Sequence, residues 1–159
     1  MNTPIFDFVR ANAAKNPIRF HMPGHKGRRF LGVESWDITE IAGADELYVA
    51  DGIIGESERN AAALFGAGKT LYSTEGSSQC IRAMLYLAAT AAKTEGRKTV
   101  LAARNAHKAF LYAVALCDLD VAWMTPAEPT SLCSCPLTAG DVENALESAG
   151  AAPVAVYIT

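Results

Sequence analysis

Clustered basic charge is missing from this 159-residue sequence: 14 Lys+Arg are scattered against 17 Asp+Glu, for a formal net charge of -3. The usual electrostatic footprint of a nucleic-acid binder is therefore absent, and no polybasic amphipathic stretch marks a membrane surface. Long apolar runs are missing too. The longest uncharged stretches reach about a dozen residues, residues 83–92 and 148–159 being examples, and stop well short of the roughly 18–20 residues that span a bilayer. The N-terminus carries neither the basic region nor the apolar run of a secretory signal, so a cytoplasmic protein is expected. Cysteine is scarce: of Cys80, Cys117, Cys133 and Cys135, the last two are separated by a single residue. Neither a zinc knuckle nor a thioredoxin-like motif is spelled. All four are expected as reduced thiols, the first two in the core and the last two in a loop.

What remains is ample core material, 50% hydrophobic residues with only 19% charged, which points to a packed protein with a small-molecule or protein partner. Thr3 followed by Pro4 starts a short amphipathic helix that Asn16-Pro17 stops. Residues 18–55 then lose all periodicity and are punctuated by glycine, and long ordered loops of this kind are more often functional than decorative. After it a helix over 58–65 ends at Gly66, followed by a short strand over 70–73, a helix over 77–92 and a strand over 99–103. A helix over 107–117, a strand over 120–124, a proline-containing loop, a helix with a capping-box-like start at Thr138 to Asp141, and a buried-type strand over 153–159 complete the chain. Such alternation predicts an α/β layer fold with a mostly parallel sheet flanked by helices, preceded by an N-terminal helix and a long irregular arm. The division expected is 1–56 for helix and arm and 57–159 for the α/β part. A central-type strand normally feeds a ligand-building loop, so its position at residues 153–159 leads us to expect a piece of a longer protein or a half completed by a C-terminal partner chain.

Three places could carry chemistry. Gly76, Ser77 and Ser78 fall between a predicted strand and a predicted helix, where unpaired first-turn amides and the helix dipole favour a phosphate. Serine is also an ordinary N-cap, and Glu75 would repel an anion. The stretch Gly66-Ala67-Gly68-Lys69-Thr70 is like the second half of a Walker A loop but ends a helix and opens a strand, the wrong order for nucleotide binding. His21, His25 and His107 do not make a metal set, because Pro23-Gly24 breaks any helix that would align the first two and no Cys or carboxylate completes the spacing. His107, just past a strand's carboxyl end, reads equally as a ligand-facing group or as an exposed helix-start histidine.

Five blocks in order resemble the Orn/Lys/Arg decarboxylases: residues 20–27 (Phe-His-Met-Pro-Gly-His-Lys-Gly), 37–40, 51–54, 61–67 and 104–108 (Arg-Asn-Ala-His-Lys). The resemblance implies part of a pyridoxal-phosphate-dependent large domain of the aspartate aminotransferase-like fold, acting in a homodimer or higher homo-oligomer. It implies decarboxylation of Lys, Orn or Arg to a diamine or agmatine, with Gly76, Ser77 and Ser78 cradling the cofactor phosphate and His107 stacking on its ring. The loop of residues 21–27 would lie near the active site. No catalytic residue is identifiable, since the family's Schiff-base lysine and pyridinium-binding aspartate come after the last residue here. None of Lys26, Lys69, Lys93, Lys98 or Lys108 matches the family's lysine motif. The 159 residues alone are therefore expected to be inactive, the alternative being a non-catalytic phosphate-ligand binder or one half of a split enzyme.

Overall fold

The computed structural model describes residues 2–128, 131 and 133–159. Met1 and three residues of the proline-containing loop, Pro129, Thr130 and Leu132, lie outside the described residues. The chain forms two compact units, Met1–Tyr72 and Ser73–Thr159.

In the first unit, α1 (Pro4–Lys15) starts at a proline and ends at Asn16 in the left-handed region, φ 43°. The Asp7 carboxylate reaches back to the Thr3 N–H at 3.2 Å and hydroxyl at 3.1 Å, closing the first turn. Next, α2 (Ile53–Phe65) begins five residues earlier than its apolar periodicity announces. Two features outside that window explain the early start. Asp45 accepts the N–H groups of Gly52 and Ile54, each at 2.9 Å, and so caps the helix from a distance in sequence. Burial pushes the Asp45 carboxyl up, but the amides of Glu46, Ile54, Gly52 and Gly55 outweigh it and leave the pKa lowered. The second feature is Gly55, where an added Cβ would sit 2.0 Å from the Ala50 carbonyl oxygen, so only glycine lets the helix pass.

α1 and α2 pack together, tied by the Asn2 amide on Glu56 at 2.6 Å and by the Asn60 amide on Asn2 Oδ1 at 2.9 Å. The segment expected as a strand over 70–73 is not one. Its Tyr72 N–H is taken by buried Glu58 at 2.8 Å, and its phenol pairs with the Ser57 hydroxyl at 2.8 Å. Among the described residues no strand lies beside it to complete a ladder. Contacts of this kind place α2 with the arm in the first unit, whereas the sequence reading groups it with the α/β half.

The irregular arm is built around one buried cation. Arg19, 7% exposed, donates to the carbonyls of Glu34 at 3.3 Å, Ser35 at 2.5 Å and Asp37 at 2.9 Å. Gly27, φ +76°, leaves room for that guanidinium: a Cβ there would meet Arg19 Nε at 3.0 Å. Glu34, also buried, turns its carboxylate onto the N–H groups of Leu31 and Gly32. Above all the Leu31 amide, opposed by burial and helped by the amides of Glu34 itself, Gly32 and Phe30, holds the Glu34 pKa at about 2 against an ordinary 4.5.

The second unit is a three-stranded parallel sheet in the order β2-β1-β3, formed by β1 (Thr99–Ala103), β2 (Asp120–Met124) and β3 (Ala155–Tyr157). Helix α3 (Gly76–Ala92) precedes β1, α4 (Lys108–Leu116) links β1 to β2, and α5 (Ala139–Ser148) links β2 to β3. The predicted α/β class and the predicted ends of β1 and β2 agree with these elements, and the Thr138–Asp141 capping box forms. The last strand is shorter than read, covering three residues.

Within β1, Val100, Leu101, Ala102 and Ala103 are all buried, as a central parallel strand requires. On one face Val100 and Ala102 pack with Leu85 of α3 and with Phe110, Ala113 and Val114 of α4. Phe110 stacks on Tyr157 at 4.5 Å between ring centroids and meets Trp123 edge-on at 6.0 Å, joining both outer strands to α4.

The cysteines correct the sequence reading: Cys80 is exposed on α3, Cys117 is half-buried and Cys135, placed in the loop, is buried with its thiol 3.5 Å from the Met124 carbonyl. Apart from Arg82, α3 carries no charge, so periodicity could not tell its covered face from its open one.

Two outcomes follow for stability. Gly55→Ala should lower unfolding stability by about 2–4 kcal/mol through the clash with the Ala50 carbonyl, measured by urea denaturation. The depressed Glu34 pKa makes its stabilisation complete above about 4.5 and lost as pH falls toward about 2. Glu34→Gln should thus be less stable than the wild type at pH 6, with the gap closing by pH 2; an equal gap at both pH values would remove the carboxylate from this role.

Candidate active site

The connections of the second unit decide where its chemistry can sit. Right-handed crossovers between parallel strands put α4 on one face and α5 on the other, because the chain leaves β1 toward β2 and then returns across β1 to reach β3. Each helix therefore runs antiparallel to the strands, and the N-termini of α4 and α5 lie at the carboxyl edge of the sheet. The short connection from α3 into β1, a 3₁₀ turn over Lys93–Glu95 ending at Gly96, brings the N-terminus of α3 to that same edge. Connections leaving β1 and β2 part to opposite faces there, which is where open α/β sheets bind ligands.

Gly76, Ser77 and Ser78 form the first turn of α3, with Gly76 at φ +64°. Among the described residues no side chain caps this helix start, which leaves its leading N–H groups without the partner that a cap would supply. Gly76 and Ser77 are exposed and Ser78 half-buried. The preceding turn is held by Ser73, whose hydroxyl accepts the Glu75 N–H at 3.2 Å and lies 2.6 Å from Gln79 Oε1. Glu75, the residue that weighed against an anion in the sequence, is ion-paired with Arg82 one helical face along. Its charge is thereby offset in the place where a phosphate would meet it.

His107 is the N-cap of α4, extended at φ -65° and ψ 149°, with Nδ1 accepting the Ala109 N–H at 3.2 Å. In the neutral ring this bond assigns the proton to Nε2. The imidazole is exposed, so both sequence readings meet in one residue: it caps a helix and presents a ring at the carboxyl edge. Asn105, part of the 104–108 block, lies in the same connection. Its Oδ1 lies 3.3 Å from the Thr159 hydroxyl just beyond β3. That contact joins the ends of β1 and β3, and sequence alone gave no sign of it.

The residues before α2 lie in the other unit. His25 Nδ1 accepts the Gly27 N–H at 3.0 Å while Nε2 meets Asp37 at 3.0 Å, so both ring nitrogens are engaged in holding the arm. His21 Nδ1 is 2.6 Å from its neighbour's carbonyl, and Lys26 donates to the His21 carbonyl at 2.6 Å. Among the described residues no three His, Cys, Asp or Glu side chains gather as a metal site, and no helix is long and apolar enough to cross a membrane. The Gly66 to Thr70 stretch leaves α2 through Gly66, its C-cap at φ 63°.

Residues 3–144 match the Orn/Lys/Arg decarboxylase major domain. The chain belongs to the Orn/Lys/Arg decarboxylase family. Curated relatives include arginine decarboxylases of Halalkalibacterium halodurans, 33% identical over 157 aligned positions and 92% of this chain, and of Bacillus cereus, 33% identical over 91% of it. The chain spans about a third of the length of these decarboxylases, 31% and 33%. Among solved structures, the constitutive lysine decarboxylase of E. coli superposes with a TM-score of 0.65 at 19% identity, over 92% of this chain and 23% of that one. Lysine decarboxylase A of Pseudomonas aeruginosa gives 0.62 at 19% identity, over 91% of this chain and 22% of that one. The decarboxylase neighbours thus share the parallel sheet and flanking helices described above.

The cap role of His107 has a direct test. His107→Ala should cost about 1 kcal/mol of unfolding stability in the second unit, while His107→Asn, which restores an N-cap acceptor, should recover most of it in the same denaturation experiment.

Proposed function

We propose that this chain supplies the phosphate cradle and ring-stacking histidine of a pyridoxal-phosphate-dependent decarboxylase acting on a basic amino acid. What supports the reading is the strand order: the Gly76–Ser78 turn and His107 each start a helix whose N-terminus the crossovers direct to the carboxyl edge of one sheet, in a chain belonging to this family. The residues present fit such a cofactor: free first-turn amides and two hydroxyls suit a phosphate dianion, and Glu75 is already paired with Arg82.

Ser77 and Ser78 would bind the phosphate through backbone N–H and side-chain O–H donors, and Gly76 would let the backbone approach without a Cβ in the way. His107, fixed in orientation by its bond to the Ala109 N–H, would lie against the pyridine ring and limit its tilt. When bound, pyridoxal phosphate supplies an electron sink for the pair released as the α-carboxylate leaves. The names of the curated relatives favour arginine, giving agmatine, over lysine or ornithine, giving a diamine.

The lysine and aspartate that the resemblance requires are not matched by any residue here, so the 159 residues alone would bind the cofactor without turning over substrate. In the complete enzyme the rest of the site would come from further sequence or from a C-terminal partner chain, in a cytoplasmic homo-oligomer.

Binding is the property to test first. Pyridoxal phosphate at 100 times its Kd should stabilise the chain by about 2.7 kcal/mol, read as a raised melting temperature. Ser77→Ala with Ser78→Ala should erase most of that shift. No shift in the wild type would overturn the cofactor reading, and release of carbon dioxide from arginine, lysine or ornithine by the purified chain would overturn its inactivity.

A further inference from the structure

The Asn105 side chain is half spent. Its Oδ1 is engaged by the Thr159 hydroxyl at 3.3 Å, whereas Nδ2 has no acceptor among the described residues. The carboxamide is planar, so an oxygen held toward the end of β3 sends the two N–H donors away from β3. Asn105 is half-buried, in the connection that leaves β1 and two positions before His107. The backbone on either side is fixed: Arg104 N–H donates to the Met124 carbonyl at 3.1 Å and Ala106 N–H to the Ala103 carbonyl at 3.1 Å. A donor pair is thus positioned at the carboxyl edge of the sheet by two backbone bonds and one hydroxyl, and no described residue accepts from it.

We propose that Asn105 donates a hydrogen bond from Nδ2 to an oxygen on the ring side of the ligand held at this edge, with Thr159 as the positioning residue that sets the amide's orientation. The inference rests on the cofactor reading above and adds to it a contact apart from the phosphate. Gly76–Ser78 grip one end of the ligand through α3, and Asn105 grips the other from the β1–α4 connection that carries His107. A tie between strand ends would need only the oxygen.

Two probes separate this contact from the rest of the site. In titrations of the full chain, Asn105→Ala should weaken pyridoxal phosphate binding about tenfold, the effect of losing one ligand hydrogen bond of this kind, and leave the affinity for inorganic phosphate unchanged. Ser77→Ala with Ser78→Ala should weaken both probes. Thr159→Val, which frees the amide to rotate but keeps the donors, should cost pyridoxal phosphate about two- to threefold. A purely structural Asn105 would instead give equal losses of melting temperature in Asn105→Ala and Thr159→Val, with pyridoxal phosphate affinity within twofold of the wild type, and that result overturns the proposal. Failure of the wild type to bind either probe overturns the cofactor reading on which it rests, a separate outcome.

Discussion

Parallel pairing on both sides of β1 is the constraint from which the second unit follows. A parallel neighbour cannot be reached by a tight turn, so each connection must carry the chain back along the sheet, and a helix is the compact way to do so. With β1 in the middle and its neighbours entered in opposite directions, the two crossover helices fall on opposite faces. Burial of Val100 through Ala103 is the result, and so is the arrangement of helix starts at one edge. The candidate site is therefore a consequence of strand order: helix starts, with their positive dipole ends, gather where the strands finish. Phe110 reinforces the arrangement by touching Tyr157 and Trp123, one ring from each outer strand.

The arm obeys a different logic. Residues without periodicity cannot satisfy their carbonyls through helix or sheet, and Arg19 does it for three of them at once with a planar guanidinium. Glu34 does the converse for two N–H groups. The two charges work on neighbouring backbone without forming an ion pair to each other. The glycine at position 27 is then explained by packing against Arg19 as much as by its positive φ. A histidine in this loop with both nitrogens occupied, His25, reads as a structural fastener.

What the sequence revealed was what local patterning encodes. β1 and β2 are continuous apolar runs between turn signals, the Thr138–Asp141 pair is a capping box three residues apart, and Gly66 stops a helix. Features set by distant partners were not legible. The start of α2 depends on Asp45 and on the Ala50 carbonyl, the fate of residues 70–73 on Glu58, and the burial of Cys135 on the end of β2. The same rule divides the candidate site. Gly76, Ser77, Ser78 and His107 could be picked out because each stands at a helix start, whereas the Asn105 contact needs β3 to return beside β1.

Glu75 shows why charge near an anion site cannot be judged from its sign in the sequence. An unpaired carboxylate one position before a phosphate-binding turn would raise the cost of bringing a dianion there. Arg82 lies about two helical turns along α3, on the face that brings its guanidinium back to Glu75. The pair replaces a lone negative charge by a dipole whose positive end belongs to the helix that would bind the phosphate. Removing Arg82 alone would leave the Glu75 carboxylate uncompensated beside the first turn of α3. An acidic residue at this position opposes an anion less when a cation on α3 pairs with it, and the sequence supplies one.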